Sequence, residues 1–268
     1  MNQNETSLIN TIDLFRISPF LELLFKIIYY SVSVISILGN SLILFVVIRN
    51  KRMHNVTNIF ITNLAFVDII ISLFSTPFQF KAAILQKWIW SPLLCQLCPF
   101  SVTINITVSI LTLVVITIDR SYVIIYPLCP KLNKKHSIYI IISIWIIGGL
   151  VGVYSFTNYE IQTIYNQNIS SYDVCAYVKN FSSEYYFITI SFLQYIFPLI
   201  IFTITLILVC FNLRVRNIEN FHTNSQNSYV KRKKAINMIL TVYLAFLISL
   251  TPIQLYNIIQ IFYYKINL

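Results

Sequence analysis

The chain has 268 residues, of which 57% are hydrophobic, 15% aromatic and only 10% charged, and its formal net charge is +10. Soluble domains carry about 25% charged residues, so the composition excludes an ordinary soluble domain and points to a chain that lives in lipid. With 4 glycines and long Ile, Leu, Val and Phe runs it also argues against a barrel, whose strands would alternate apolar and polar.

In chain order, residues 1–24 read as an extracellular N-terminus. Met1 to Phe15 is polar, so no cleavable signal peptide is expected and the first apolar run acts as its own insertion signal. Six apolar segments follow, near 25–48, 58–82, 94–125, 137–157, 184–212 and 235–262, each about the 20 residues that a spanning helix needs. Residues 263–268 start an outer loop. The expected fold is therefore an all-α membrane bundle.

Basic residues orient it. Arg49, Lys51 and Arg52 lie in the first loop, Lys131, Lys134 and Lys135 in the third, and Arg214, Arg216, Lys231, Arg232, Lys233 and Lys234 in the fifth. The second loop has Lys81 and Lys87 and the fourth only Lys179. Odd-numbered loops are then cytoplasmic and the N-terminus is outside. Glycosylation sequons at Asn4, Asn168 and Asn180 fall on the outer side; those at Asn55 and Asn105 fall in a cytoplasmic loop and within a span, and are discounted. Cys95 and Cys175 also fall outside, where disulfides persist; pairing and free thiols both fit the sequence.

One charged pair interrupts the third span, Asp119-Arg120 in "LTLVVITIDRSYVIIYP". From Cys95 to Arg120 is 25 residues, about 37 Å of helix, which crosses a bilayer and sets the pair at the inner water boundary. There a local ion pair or a simple snorkelling anchor is sustainable. Asp68 is the acidic residue deep in the second span, a functional candidate because a buried carboxylate is costly.

These landmarks fall in order. "GN" is Gly39-Asn40, "NLAFVD" runs from Asn63 to Asp68 and is followed by Pro77, and "DRS" begins at Asp119. Trp145 stands in the fourth span, Pro198 in the fifth, and Phe246 with Pro252 in the sixth. The chain resembles the rhodopsin-like G-protein-coupled receptors over almost its whole length. "CPF" at Cys98–Phe100, "ITVSI" at Ile106–Ile110, "FLQYIFPL" at Phe192–Leu199, "IIYP" at Ile124–Pro127 and Asn257 resemble the neuropeptide Y/neuropeptide F group.

The resemblance implies a plasma-membrane receptor that passes binding of an extracellular peptide to a heterotrimeric G protein. It implies that Asp119 holds Arg120 at rest and releases it for G-protein contact. It places a sodium ion at Asp68 and Ser109, with Asn40 nearby; a protonated Asp68 bonded to Asn40 is the alternative. It makes Pro198, Phe246 and Pro252 the activation core, with packing kinks as the plainer reading. It puts the ligand near Gln79, Val102, Gln194 and Asn257, with Trp88 and Tyr256 at the rim, although polar groups there also serve as interhelical glue. Lys231–Lys234 lies at the moving end of the sixth span, for G-protein contact, topology or lipid headgroups.

Departures are specific. Val102 stands where the group usually has Gln, and Ile261 where many members have Asp. Leu250 and Leu206 replace a tryptophan and a tyrosine used in activation, and Ser121 replaces the tyrosine of D-R-Y. The chain ends at Leu268, before a seventh helix, so a truncated gene model and a genuine six-helix isoform are both expected accounts. His54, His136 and His222 show no ligand-like spacing and no hydrolase or phosphate-loop motif occurs, so neither an enzyme nor a nucleic-acid binder is expected. A six-helix transporter would show inverted repeats or several deep charges; a non-signalling scaffold is the remaining alternative.

Overall fold

Ser18 opens the first helix by accepting a hydrogen bond from the Leu21 backbone N–H at 3.3 Å. Pro19 fills the first helical position, where its missing N–H has no partner to lose. Glu22 and Lys26 pair at 2.6 Å one turn further on. The computed structural model describes residues 18–126, 128–130, 132–166, 169–178, 183–219, 236–237, 239–255 and 259. Asn4, Asn168, Asn180, Lys231–Lys234, Tyr256, Asn257 and Ile261, singled out from the sequence, lie outside these residues or their described side chains.

The helices are α1 (Pro19–Arg49), α2 (Val56–Leu73), α3 (Ser75–Leu85), α4 (Pro92–Ile125), α5 (Lys134–Asn158), α6 (Ser183–Ser191), α7 (Phe197–Glu219) and α8 (Ile239–Leu255). A short 3-10 turn, Lys51–Met53, joins α1 to α2, and a π-helical turn, Phe192–Ile196, joins α6 to α7. Among the described residues, five helical stretches are long and apolar enough to cross a membrane, from Pro19–Arg49 to Tyr185–Asn212, and Ile239–Leu255 is a shorter apolar helix. No residue of α1 is buried; Ile35 and Leu38 stand 69% and 65% exposed. Such surface is stable only where hydrocarbon replaces water.

The departure from an all-helical chain is a hairpin after the fourth span. β1 (Tyr159–Asn166) pairs antiparallel with β2 (Ile169–Tyr177), Ile161 opposite Cys175. Beyond Asn158 the chain leaves the long apolar run. "YEIQTIY" and "YDVCAY" carry the β-branched and aromatic residues that suit a pleated ribbon. Pairing satisfies backbone groups that a loop would leave to solvent.

Prolines sit at helix joints as well as inside helices. The second span breaks at Phe74, and Pro77 occupies the first turn of α3, where no intrahelical donor is needed. Pro198 follows the π-helical turn, whose wider bonding absorbs the missing N–H. Pro99 and Pro252 are interior to α4 and α8.

The residues form two compact units, each described by itself. The first comprises stretches within 18–50, 65–105 and 149–178; the second comprises 51–64, 106–148 and the described residues after 180.

Candidate functional site

In the first unit, Cys95 and Cys175 are joined in a disulfide, 80 residues apart in sequence. The open choice between paired and free thiols thus resolves to a bridge. Trp88 and Cys98 are buried against it, with Phe78, Trp90, Tyr159 and Ile161 packed around them. Trp88 is bound three ways: its N–H donates to the Asp173 carbonyl at 2.6 Å, its indole N–H to the Ser91 carbonyl at 3.2 Å, and its ring meets Trp90 edge-on. The connection between α3 and α4 is therefore tied to β2 by backbone as well as by sulfur.

Beside this cluster lies a cavity of about 470 Å³. Three of the residues proposed from sequence for the ligand line it, Gln79, Val102 and Trp88. Gln79 donates to Ser75 Oγ at 3.1 Å, which itself donates to the Cys98 carbonyl at 3.0 Å, so its amide is aimed by a buried hydroxyl. Lys87, Tyr159 and Val174 also line the cavity. Lys87 was visible beside Trp88 in the sequence; Tyr159 and Val174 depend on hairpin register, which the sequence alone does not supply. The wall offers aliphatic, aromatic, amide and one cationic group, a mixture that suits a peptide end.

Asp68 belongs to the same unit. Its carboxyl is hydrogen-bonded by Asn105, whose amide also donates to the Val67 carbonyl at 3.1 Å. Asn40 instead turns its amide to the Ser36 carbonyl at 2.9 Å and to Ser36 Oγ at 3.4 Å. Asn105 and Asn55, set aside as glycosylation sites, thus have structural work: Asn55 Oδ1 accepts from the Asn58 N–H at 2.9 Å and caps α2.

In the second unit, Asp119 and Arg120 form a loose ion pair, Nε to Oδ2 at 3.8 Å. The Asp119 side chain is 12% exposed and that of Arg120 34%. The Arg120 Nε is buried and makes no hydrogen bond. A guanidinium held by charge at this distance, without a directional bond at Nε, can be redirected at small cost. Ser121 is buried and returns its hydroxyl to the Thr117 carbonyl at 2.8 Å, so it packs along its own helix.

Trp145 donates through its indole to Asn63 Oδ1 at 2.9 Å, and Asn63 donates to Thr112 Oγ1 at 3.0 Å, linking α5, α2 and α4. Phe246 is buried among Ile110, Val114 and Phe202, with its ring stacked on Tyr195 and edge-on to Phe202. Leu250 packs against the same cluster. Pro198 is fully buried. Leu206 packs with Ile125, Val209 and Ile239 in a second apolar cluster. Gln194 is buried and donates to Thr107 Oγ1 at 2.9 Å, so its amide already serves as interhelical glue. Ser109 Oγ is buried with no hydrogen-bond partner.

Gln254 escaped the sequence reading. It is 5% exposed and its Oε1 has no hydrogen-bond partner. It lies one and two turns beyond Leu250 and Phe246, and that spacing was the available signal.

Among the described residues no group of three or more His, Cys, Asp or Glu could hold a metal ion. The 7 transmembrane receptor (rhodopsin family) profile matches residues 39–267. The RYamide receptor of Tribolium castaneum is 31% identical over 248 residues, 87% of this chain and 66% of that protein. Neuropeptide Y receptor type 4 of Rattus norvegicus is 31% identical over 256 residues, 90% of this chain and 67% of the relative. Neuropeptide Y receptor type 2 of Cavia porcellus is 28% identical over 239 residues, covering 86% and 61%. The chain thus spans roughly two thirds or less of the relatives it matches. From Gly39-Asn40 to the sixth apolar helix, the ordered landmarks and the profile agree that the chain belongs to the rhodopsin family of seven-transmembrane receptors, a class of receptors and not of enzymes.

Proposed function

We propose that this chain is a cell-surface peptide receptor that signals through a heterotrimeric G protein, its N-terminus outside the plasma membrane. The observation that carries the reading is the Asp119–Arg120 pair: a cation near water, held by one carboxylate at 3.8 Å and by no hydrogen bond at Nε. Such a group can exchange its intramolecular partner for a carbonyl or carboxylate on another protein. Movement of α8 about Pro252, with Phe246 repacking, supplies the change that frees it. The ligand is a peptide of the kind bound by the RYamide and neuropeptide Y receptors, and Gln79, Trp88 and Val102 contact it. Val102, with no polar atom, shortens the set of amide partners there, so recognition leans more on Gln79 and Lys87.

Sodium at Asp68 belongs to the same proposal. The carboxylate oxygens suit a hard cation, and Asn105 holds the carboxyl in place. Agonist affinity that ignores replacement of sodium by a large organic cation would remove this part and leave the rest standing.

The test uses membranes from cells expressing the chain. RYamide and neuropeptide Y peptides are titrated, with peptide binding and stimulated nucleotide exchange measured side by side. Arg120→Ala is expected to keep binding within about twofold while abolishing exchange. Exchange retained by Arg120→Ala would overturn the coupling role. Binding without exchange in the unaltered chain would instead support the non-signalling alternative.

A further inference from the structure

A second cavity, of about 610 Å³, opens in the second unit between the end of α4 and the start of α5. Val115, Ile118, Leu132 and Ile140 make its wall apolar, and Ile118 and Tyr122 stand 45% and 40% exposed. Apolar lining of this kind, on a helix long and apolar enough to cross a membrane, suits hydrocarbon. At its mouth the chain turns basic. The lining residues Asn133 and His136 bracket Lys134 and Lys135, all exposed, in the first turn of α5. That turn carries no acidic residue. Asn133 Oδ1 accepts from the Lys135 N–H at 3.2 Å, so the helix begins here with its positive dipole end toward the basic cluster. The one acid in the lining, Asp119, has the Arg120 guanidinium as its own counter-charge.

An apolar slot beneath a cationic mouth is complementary to one kind of molecule. We propose that this cleft is a binding site for an anionic phospholipid, one acyl chain lying along Val115, Ile118 and Ile140 and the phosphate held by Lys134, Lys135 and the first turn of α5. A partner helix would need acidic residues in register with the two lysines, and a second copy of this chain brings a cationic face to a cationic mouth. A lipid needs neither, and it reaches the slot from the bilayer. The inference uses the orientation proposed above only to say which leaflet supplies the lipid; the site itself rests on the cleft. Since Asp119 lines the slot, its occupant borders the carboxylate that pairs with Arg120.

The full chain in nanodiscs is irradiated with phosphatidylserine or phosphatidylcholine bearing a diazirine at mid-chain, and the labelled peptides are mapped. Labelling of residues 115–140 is expected to favour phosphatidylserine, and Lys134→Gln/Lys135→Gln should reduce it roughly tenfold or more while leaving the phosphatidylcholine signal unchanged. Ile118→Trp, which fills the slot, should lower labelling by both probes. Equal labelling by the two lipids, or indifference to the double lysine variant, would overturn the proposal. So would competition by water-soluble glycerophosphoserine at the concentration of the lipid, because the acyl slot would then have no part in binding. No signalling readout enters, so loss of the coupling role leaves this test intact.

Discussion

The Trp88 region and the α8 region are both rich in aromatic residues, yet they are held in different ways. Around Trp88 the fixing is directional: a disulfide, a paired hairpin, and backbone bonds from Trp88 and Val178 to Asp173 and Asn158. Around α8 the fixing is mostly dispersion. Phe246 and Ile239 lie in apolar clusters, and among the described residues the polar ties to neighbouring helices are Tyr195 to Thr251 at 3.0 Å and the longer Thr203 to Tyr243 contact at 3.4 Å. Directional bonds define one geometry, whereas packed aliphatic faces can slide into a second arrangement of similar energy.

Six substitutions would break or sharpen this contrast, beginning with the largest effect. Cys95→Ser opens an 80-residue loop, which a chain-entropy argument sets at roughly 4–5 kcal/mol. The thermal midpoint, followed by tryptophan fluorescence, should fall steeply and the Trp88 environment should become polar; an unchanged midpoint would mean that the hairpin holds without sulfur. Phe246→Ala should cost about 3 kcal/mol by emptying the space between Ile110, Val114 and Phe202, yet it should leave the Trp88 fluorescence alone. A shift at Trp88 would show that the two regions do not respond separately.

Next, Asn63→Ala strands the Trp145 indole and Thr112 hydroxyl, at about 2 kcal/mol, whereas Trp145→Phe should be milder because one donor leaves with its need. Equal losses for the two would argue against the relay. The smallest effect concerns two glycines. A Cβ at Gly152 would meet Ile104 Cγ1 at 2.9 Å and Phe100 Cδ2 at 3.0 Å, while at Gly39 it meets nothing within 4 Å. Gly152→Ala should therefore destabilise by about 1 kcal/mol and Gly39→Ala should be neutral or stabilising. The reverse order, read from midpoints in one detergent, would sink the close-packing account of Gly152.

The aliphatic departures in the second unit follow the same division. Leu250 joins the Phe246 cluster and Leu206 joins that of Ile125, Val209 and Ile239. Both positions thereby add apolar contact around α8 and no new directional bond. Hydrocarbon packing thus dominates these clusters, while the charged pair at 3.8 Å is loose.

The amino-acid order by itself determined the membrane class, the apolar spans, the basic loops and the identity of Asp119 and Arg120, because each follows from composition, from a period set by helix geometry, or from the cost of a charge in lipid. It also offered Gln79, Val102, Gln194 and Asn257, with Trp88 and Tyr256 at the rim, as ligand candidates, though only through resemblance. Tertiary structure decided what depends on a partner distant in the chain. It joined Cys95 to Cys175 and gave the Asp68 carboxyl to Asn105 while Asn40 turned to Ser36. It committed Gln194 to Thr107 and left Gln254 with an unpaired oxygen. Hydrogen bonds act over about 3 Å, and a linear sequence does not say which of many polar side chains will come that close.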